Sequence, residues 1–174
     1  MGLYLIESSL KKIVSVKEEL DQKVEVLQAK LSENQSTLIE VQVSKDFSRA
    51  FFIIEGTDQD AATETLKKAD IPVELVKEVR LVGKEIEDVK QNKDIVNYLV
   101  EWNLPEDLTM DQYLARKKKN SIHYQEVPEV AFSRTYVCED MTKCLCFYDA
   151  PDEAAVKRAR EAVQTPIDSI TEIL

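Results

Sequence analysis

Residues 134–152 read RTYVCEDMTKCLCFYDAPD. Alternation before and after the central polar residues predicts a β-hairpin over Val130 to Cys138 and Cys144 to Asp149. Asp152 then stands where it can cap a following helix. The same layout occurs 94 residues upstream, at 40–58, as EVQVSKDFSRAFFIIEGTD, and the two align without a gap. This pair of stretches decides the reading of the whole chain, because each sits at the same place in a longer unit.

Working outward from the upstream copy, residues 2–8 predict a strand. Ile13, Val16, Leu20, Val24, Leu27 and Leu31 then recur every three or four residues, the period of an amphipathic helix. Ser15 and Glu18 have the spacing of a capping box at its start. Ile39, Val41 and Val43 alternate with Glu40, Gln42 and Ser44, a half-buried strand. Ala50 to Ile54 follows as an apolar strand. Thr57 or Asp58 can cap a helix whose inward face carries Ala62, Leu66 and Ala69. Pro72 stops it, and Val73 to Val82 closes the unit. The order is β-α-β-β-α-β, the split βαβ or ferredoxin-like unit.

The order repeats in the second half. Asn97 to Trp102 predicts a strand. Thr109 and Gln112 form a second capping-box signal for a helix to about Lys119. The hairpin follows, then a helix from Asp152 carrying Val156, Ala159 and Val163, a stop at Pro166, and a strand over Ile167 to Leu174. One offset serves strands, caps, turns and helix stops together, matching for example Tyr4 with Tyr98, Asp58 with Asp152 and Pro72 with Pro166. The fold class expected is α+β, a tandem duplicated ferredoxin-like (βαββαβ)2. Residues 1–82 form a diverged first repeat, 83–96 a polar linker, and 97–174 the second repeat. Each such unit leaves one sheet face open, and two copies can cover each other as a pseudo-dimeric α+β barrel or a sheet-to-sheet sandwich. The interior between the repeats is then the expected place for a small molecule.

The bulk chemistry narrows the function. The net charge is −10 over 174 residues, against the basic face a nucleic-acid binder shows. The one tight basic run, Arg116 to Lys119, falls at a helix end, where cations meet the negative end of the helix dipole. No apolar run approaches the ~20 residues needed to cross a bilayer, and the N-terminus has neither a basic n-region nor an apolar h-region. A cytoplasmic protein with no membrane or nucleic-acid partner is expected, monomeric or a weak homodimer. Three clustered cysteines do not make a secreted disulfide framework.

Residues 97–174 resemble a family of small bacterial ferredoxin-like proteins of unknown function, some of whose members are named nickel-binding proteins. The likeness is carried by Leu99-Val100-Glu101, Leu104-Pro105, Arg134-Thr135 and the run from Thr142 to Asp152, with Cys146 and Asp149-Ala150-Pro151 its most specific part. The first half keeps Leu5-Ile6-Glu7 but has Phe52 and Gly56-Thr57 at the matching places. The resemblance implies a histidine late in the first strand and two histidines four apart in the second helix of the metal-associated members. Here those places hold Trp102, Ala159 and Val163, so the nickel inference does not transfer.

Two constellations remain as candidate sites. Cys144 and Cys146 alternate onto one strand face, with Cys138 across the hairpin. They fall short of the four ligands of a structural zinc site, and Ala50 and Phe52 replace two of them in the first half. Packing as small hydrophobes is the plainer reading. Parity places Glu40, Gln42, Arg134 and Tyr136 together on the open sheet face, with Glu7 and Glu101 as repeated carboxylates. These could orient a small ligand, or Arg134 could pair with Glu40 or Glu7. Trp102, Tyr98 and Phe132 read as core. There is no Gly-rich phosphate loop, and with one histidine there is no catalytic triad. The leading expectation is a non-enzymatic small-ligand-binding or interaction module without a cofactor. The alternative is a cofactor-free enzyme of the dimeric α+β-barrel type, a small monooxygenase or isomerase, with divalent metal binding third.

Overall fold

A computed structural model describes residues 1–91 and 95–174. The chain divides into two compact units, the first mainly residues 1–79 and the second mainly 80–88 and 95–173. The first contains β1 (Gly2–Ser9), α1 (Lys17–Glu33), β2 (Thr37–Val43), β3 (Arg49–Gly56), α2 (Gln59–Lys68) and the start of β4 (Leu75–Val82). A short helix, α3 (Ile86–Lys90), lies in the expected linker; positions 92–94 of that linker fall outside the described residues. The second unit contains β5 (Tyr98–Asn103), α4 (Met110–Asn120), a 3₁₀ turn (Ser121–Glu126), β6 (Ala131–Cys138), β7 (Lys143–Asp149), α5 (Glu153–Ala162) and β8 (Ser169–Glu172). The order βαββαβ thus occurs twice. In each unit the strands are antiparallel, ordered β2-β3-β1-β4 in the first and β6-β7-β5-β8 in the second.

The correspondence extends to single hydrogen bonds. Tyr4 lies opposite Ile54 and Glu78, as Tyr98 lies opposite Tyr148 and Glu172. A β-bulge interrupts the first hairpin between Leu38 and Glu40 and the second between Phe132 and Arg134. The carboxylate of Asp46 accepts from the backbone and hydroxyl of Ser48, and that of Asp140 from those of Thr142. The residue between, Phe47 or Met141, is left-handed in both, with φ of 59° and 61°. Asp58 caps α2 through the amide of Ala61 at 2.7 Å, and Asp152 caps α5 through that of Ala155 at 2.8 Å. Both helices end before their prolines. The amides of Asp70 and Ile71 return to Lys67 and Leu66, those of Gln164 and Thr165 to Glu161 and Arg160, and Asp70 and Gln164 are left-handed. This is the Schellman stop, which satisfies the last carbonyls.

Burial explains why these elements hold. In the first unit Leu20, Leu27 and Leu31 of α1 and Ala62 and Leu66 of α2 pack on Ile6, Val43, Ala50, Phe52 and Ile54. Each large apolar side chain buried this way contributes about 1.5–3 kcal/mol. In the second, Val156 and Ala159 of α5 and Tyr113 of α4 cover Val100, Trp102, Val137, Cys144, Cys146 and Tyr148.

The Thr109–Gln112 capping box forms in full. The Ser15–Glu18 box does not. Helix α1 starts at Lys17 with Val16 at its cap and no side-chain cap bond. Ser15 instead donates its hydroxyl and amide to Glu19, at 2.9 and 3.2 Å. Ile13 and Val16 therefore precede the helix and are exposed, although their spacing fits its period.

Candidate functional site

Strand alternation separates the residues singled out from sequence. Glu7 and Glu40 lie on the face of the first unit's sheet away from its helices, and Glu101, Arg134 and Tyr136 on the corresponding face of the second. Each has a partner within its own unit. Glu7 pairs with Arg49 at 2.7 Å and Glu101 with Lys143 at 3.0 Å, the same cross-strand pair 94 residues apart. Glu40 accepts from the Gln42 amide at 2.9 Å. Arg134 donates to Ser133 and lies 5.2 Å from the centre of the Phe147 ring, which also meets Tyr136 edge-on.

The cysteines do not stay together. Val137, beside Cys138, belongs to the helix-facing core with Cys144 and Cys146, so Cys138 points to the opposite face. Burial raises its pKa. Cys144 and Cys146 instead join a buried polar cluster beneath α4, α5 and the 3₁₀ turn.

Arg160 is its centre. It projects from α5 and is 2% exposed. Its Nη1 donates to Cys146 Sγ at 3.3 Å and to the Tyr148 hydroxyl at 3.1 Å, and its Nη2 to the Pro166 carbonyl at 2.5 Å. Its Nε is buried with no hydrogen-bond partner among the described residues. Tyr148 and Tyr124 share a short bond between their hydroxyls, 2.6 Å. The Thr135 hydroxyl donates to Cys146 Sγ at 3.2 Å. Cys146 Sγ thus receives a hydroxyl and a guanidinium N–H. The neighbouring Cys144 thiol, then the Lys117 and Arg160 cations and Thr135, hold Cys146 well below the ordinary thiol range against the opposing effect of burial. Cys144, on the donating side of that pair and buried, is pushed well above it. Burial likewise raises Tyr113, Tyr124 and Tyr148.

A cavity of about 20 Å³ opens onto this cluster, room for one or two water-sized groups. Its lining includes Arg160, Cys144, Cys146, Trp102, Tyr113 and Val163, and toward its rim Arg116 and Lys117. Arg116 lies 5.6 Å from the centre of the Trp102 ring and Lys117 4.4 Å from that of Phe132. The first two members of the basic run are therefore held over aromatic faces instead of only ending a helix. Among the described residues no Asp or Glu lines the cavity.

The first unit shows what the fold alone requires. At the places of Thr135, Cys144, Cys146, Tyr148 and Arg160 it has Val41, Ala50, Phe52, Ile54 and Leu66, all in its apolar core or packed on it. The same scaffold thus packs without the polar cluster. Comparing core positions across the repeat is the signal that finds it. Tyr124, on a 3₁₀ turn with no counterpart in the first unit, has no such signal.

Residues 98–173 match the family described as Nickel responsive protein SCO4226-like. The second unit is similar to that family. No curated protein matches the chain. A solved structure named "Putative Chlorite dismutase" has a TM-score of 0.60 at 14% identity, covering 100% of this chain and 95% of its own. A structure from Fusobacterium nucleatum named "Putative monooxygenase" has a TM-score of 0.48 at 13% identity, covering 98% and 90%. At such identity the first likeness shows the fold alone.

The residues of the second unit do not fit the nickel that the family's name implies. Trp102 and Val163 line the cavity and Ala159 lies in the same core, so the three places that the resemblance associates with metal histidines surround this site without a donor. A guanidinium 3.3 Å from Cys146 Sγ repels a metal cation. His123 is half exposed and pairs with Glu126. Among the described residues no group of three His, Cys, Asp or Glu could hold a metal, and no helix is long and apolar enough to cross a membrane.

Proposed function

We propose that the protein is a small-ligand-binding module whose site is the polar cavity of the second unit, and that the ligand is a small anion. The observation that carries this reading is Arg160, a fully buried guanidinium with an Nε that no described residue accepts from. A buried donor left unmade costs about 1–3 kcal/mol, and a Cys146 thiolate offsets only one of the three cations, Arg116, Lys117 and Arg160, that line the cavity. Arg116 and Lys117 add positive potential at the rim of a chain whose net charge is −10. The volume restricts the ligand to a small anion: chloride fits outright, and formate, nitrate and bicarbonate test the upper limit of size. The sheet-face set Glu7, Glu40, Glu101, Arg134 and Tyr136 serves packing and ion pairing in this reading.

The test is a thermal-shift and calorimetric titration of these four anions against the wild type and Arg160→Leu, the first unit's own residue at that place. At one hundred times Kd a bound anion stabilises by about 2.7 kcal/mol, a rise of roughly 5–10 °C for a chain of this size. Wild type is expected to respond to at least one anion and the variant to none. Equal responses in both, or none in the wild type, refute the reading.

A further inference from the structure

The same cluster supports chemistry at sulfur that anion binding does not require. We infer that Cys146 is a reactive thiolate that hydrogen peroxide oxidises to a sulfenic acid, and that Thr135 and Arg160 are its positioning residues. Three observations converge on that sulfur. It accepts the Thr135 hydroxyl at 3.2 Å and the Arg160 guanidinium at 3.3 Å, the donor set that favours sulfur as an anion. It lines a cavity with room for a molecule the size of peroxide. The first unit, with no such cavity chemistry, has Phe52 in its place.

The groups facing Cys146 are consistent with this. Cys144 and Tyr148 stand beside it on β7 and Thr135 across on β6. Tyr113 and Lys117 come from α4, Tyr124 from the 3₁₀ turn and Arg160 from α5. None is a carboxylate, and the two cations favour the thiolate. Attack of that thiolate on one peroxide oxygen forms an S–O bond and breaks the O–O bond. Sulfur gives up two electrons, the second oxygen leaves as hydroxide beside the guanidinium, and a proton from solvent converts it to water.

The other two cysteines are internal controls. Cys138 and Cys144 are as fully buried as Cys146, yet neither has this donor set. The full-length protein is treated with hydrogen peroxide at neutral pH for a timed interval, the peroxide is removed with catalase, the protein is unfolded in urea containing dimedone so that the buried sulfurs are reached, and the labelled cysteine is located by peptide mass spectrometry. The label is expected on Cys146 ahead of the other two. Thr135→Val, which places the first unit's Val41 chemistry there, is expected to slow labelling roughly ten-fold while leaving the far-ultraviolet circular dichroism unchanged. Cys144→Ala, matching Ala50, is expected to slow it as well and to keep the label on Cys146. First labelling of Cys138 or Cys144, no labelling of any cysteine, or an unchanged rate in a folded Thr135→Val protein overturns the inference.

Discussion

Replacing Arg160 by leucine separates a charged Cys146–Arg160 pair from a merely packed one through the pH dependence of stability. The substitution removes hydrogen bonds to Cys146, Tyr148 and the Pro166 carbonyl. It also relieves the desolvation of a buried guanidinium, an effect of several kcal/mol in the opposite direction. The two offset each other, so the slope against pH is the diagnostic quantity. Cys146 has its pKa lowered in the folded chain, against ~8.5 in the unfolded one. Its contribution is therefore fully present above ~8.5 and fades as pH falls through the folded value. Within that window stability rises by at most about 1.4 kcal/mol per pH unit for one group. Cys138 and Cys144, both raised, act only above the window, where the unfolded chain ionises them. Asp46, held down to about 2 by its bonds from Ser48 and Ser44, acts well below it. Urea unfolding between pH 5.5 and 8.5 is expected to show wild-type stability rising with pH, a shallower rise in Arg160→Leu, and none from this source in Cys146→Ala. Parallel curves for all three proteins would refute a charged pair.

Two further outcomes follow from the same structure. Asp152→Ala and Asp58→Ala each remove one N-cap bond and are expected to cost about 1 kcal/mol, or roughly 2–4 °C in melting temperature; unchanged melting in either would mean that its helix does not depend on the cap. Added nickel is expected to leave the melting temperature where it was, because the cavity pairs its thiols with cations; a rise reversed by a chelator would contradict that.

The scaffold was legible in the sequence because it is written in periodicities and caps that act locally. Asp58, Thr109 and Asp152 each announced a helix start that forms. Ser15 announced one that does not, because the hydroxyl found Glu19 instead, a choice that spacing alone does not make. The site was harder to read. Cys144 and Cys146 fit a packed strand, and they are packed; what distinguishes their surroundings from those of Ala50 and Phe52 is the guanidinium of Arg160, brought to Cys146 by helix packing. The second of the two arginines in α5, four residues after Val156 on its inward stripe, looks like an ordinary surface residue until the register with Leu66 is applied. Arg116 and Lys117 were likewise read as a helix end, and only the fold places them over Trp102 and Phe132.

The contrast between the two cores bears on how such a site can arise. Polar groups in a core are a burden on folding, and natural proteins sit only slightly above the stability that they need. A chain with a single unit would have to accept that burden throughout its only core. Here the apolar set Val41, Ala50, Phe52, Ile54 and Leu66 fills the core of one unit while Thr135, Cys144, Cys146, Tyr148 and Arg160 stand buried at the matching places of the other. Two units of one layout let a chain confine that burden to one core, and the apolar core serves as an internal reference against which each polar replacement can be measured, position by position.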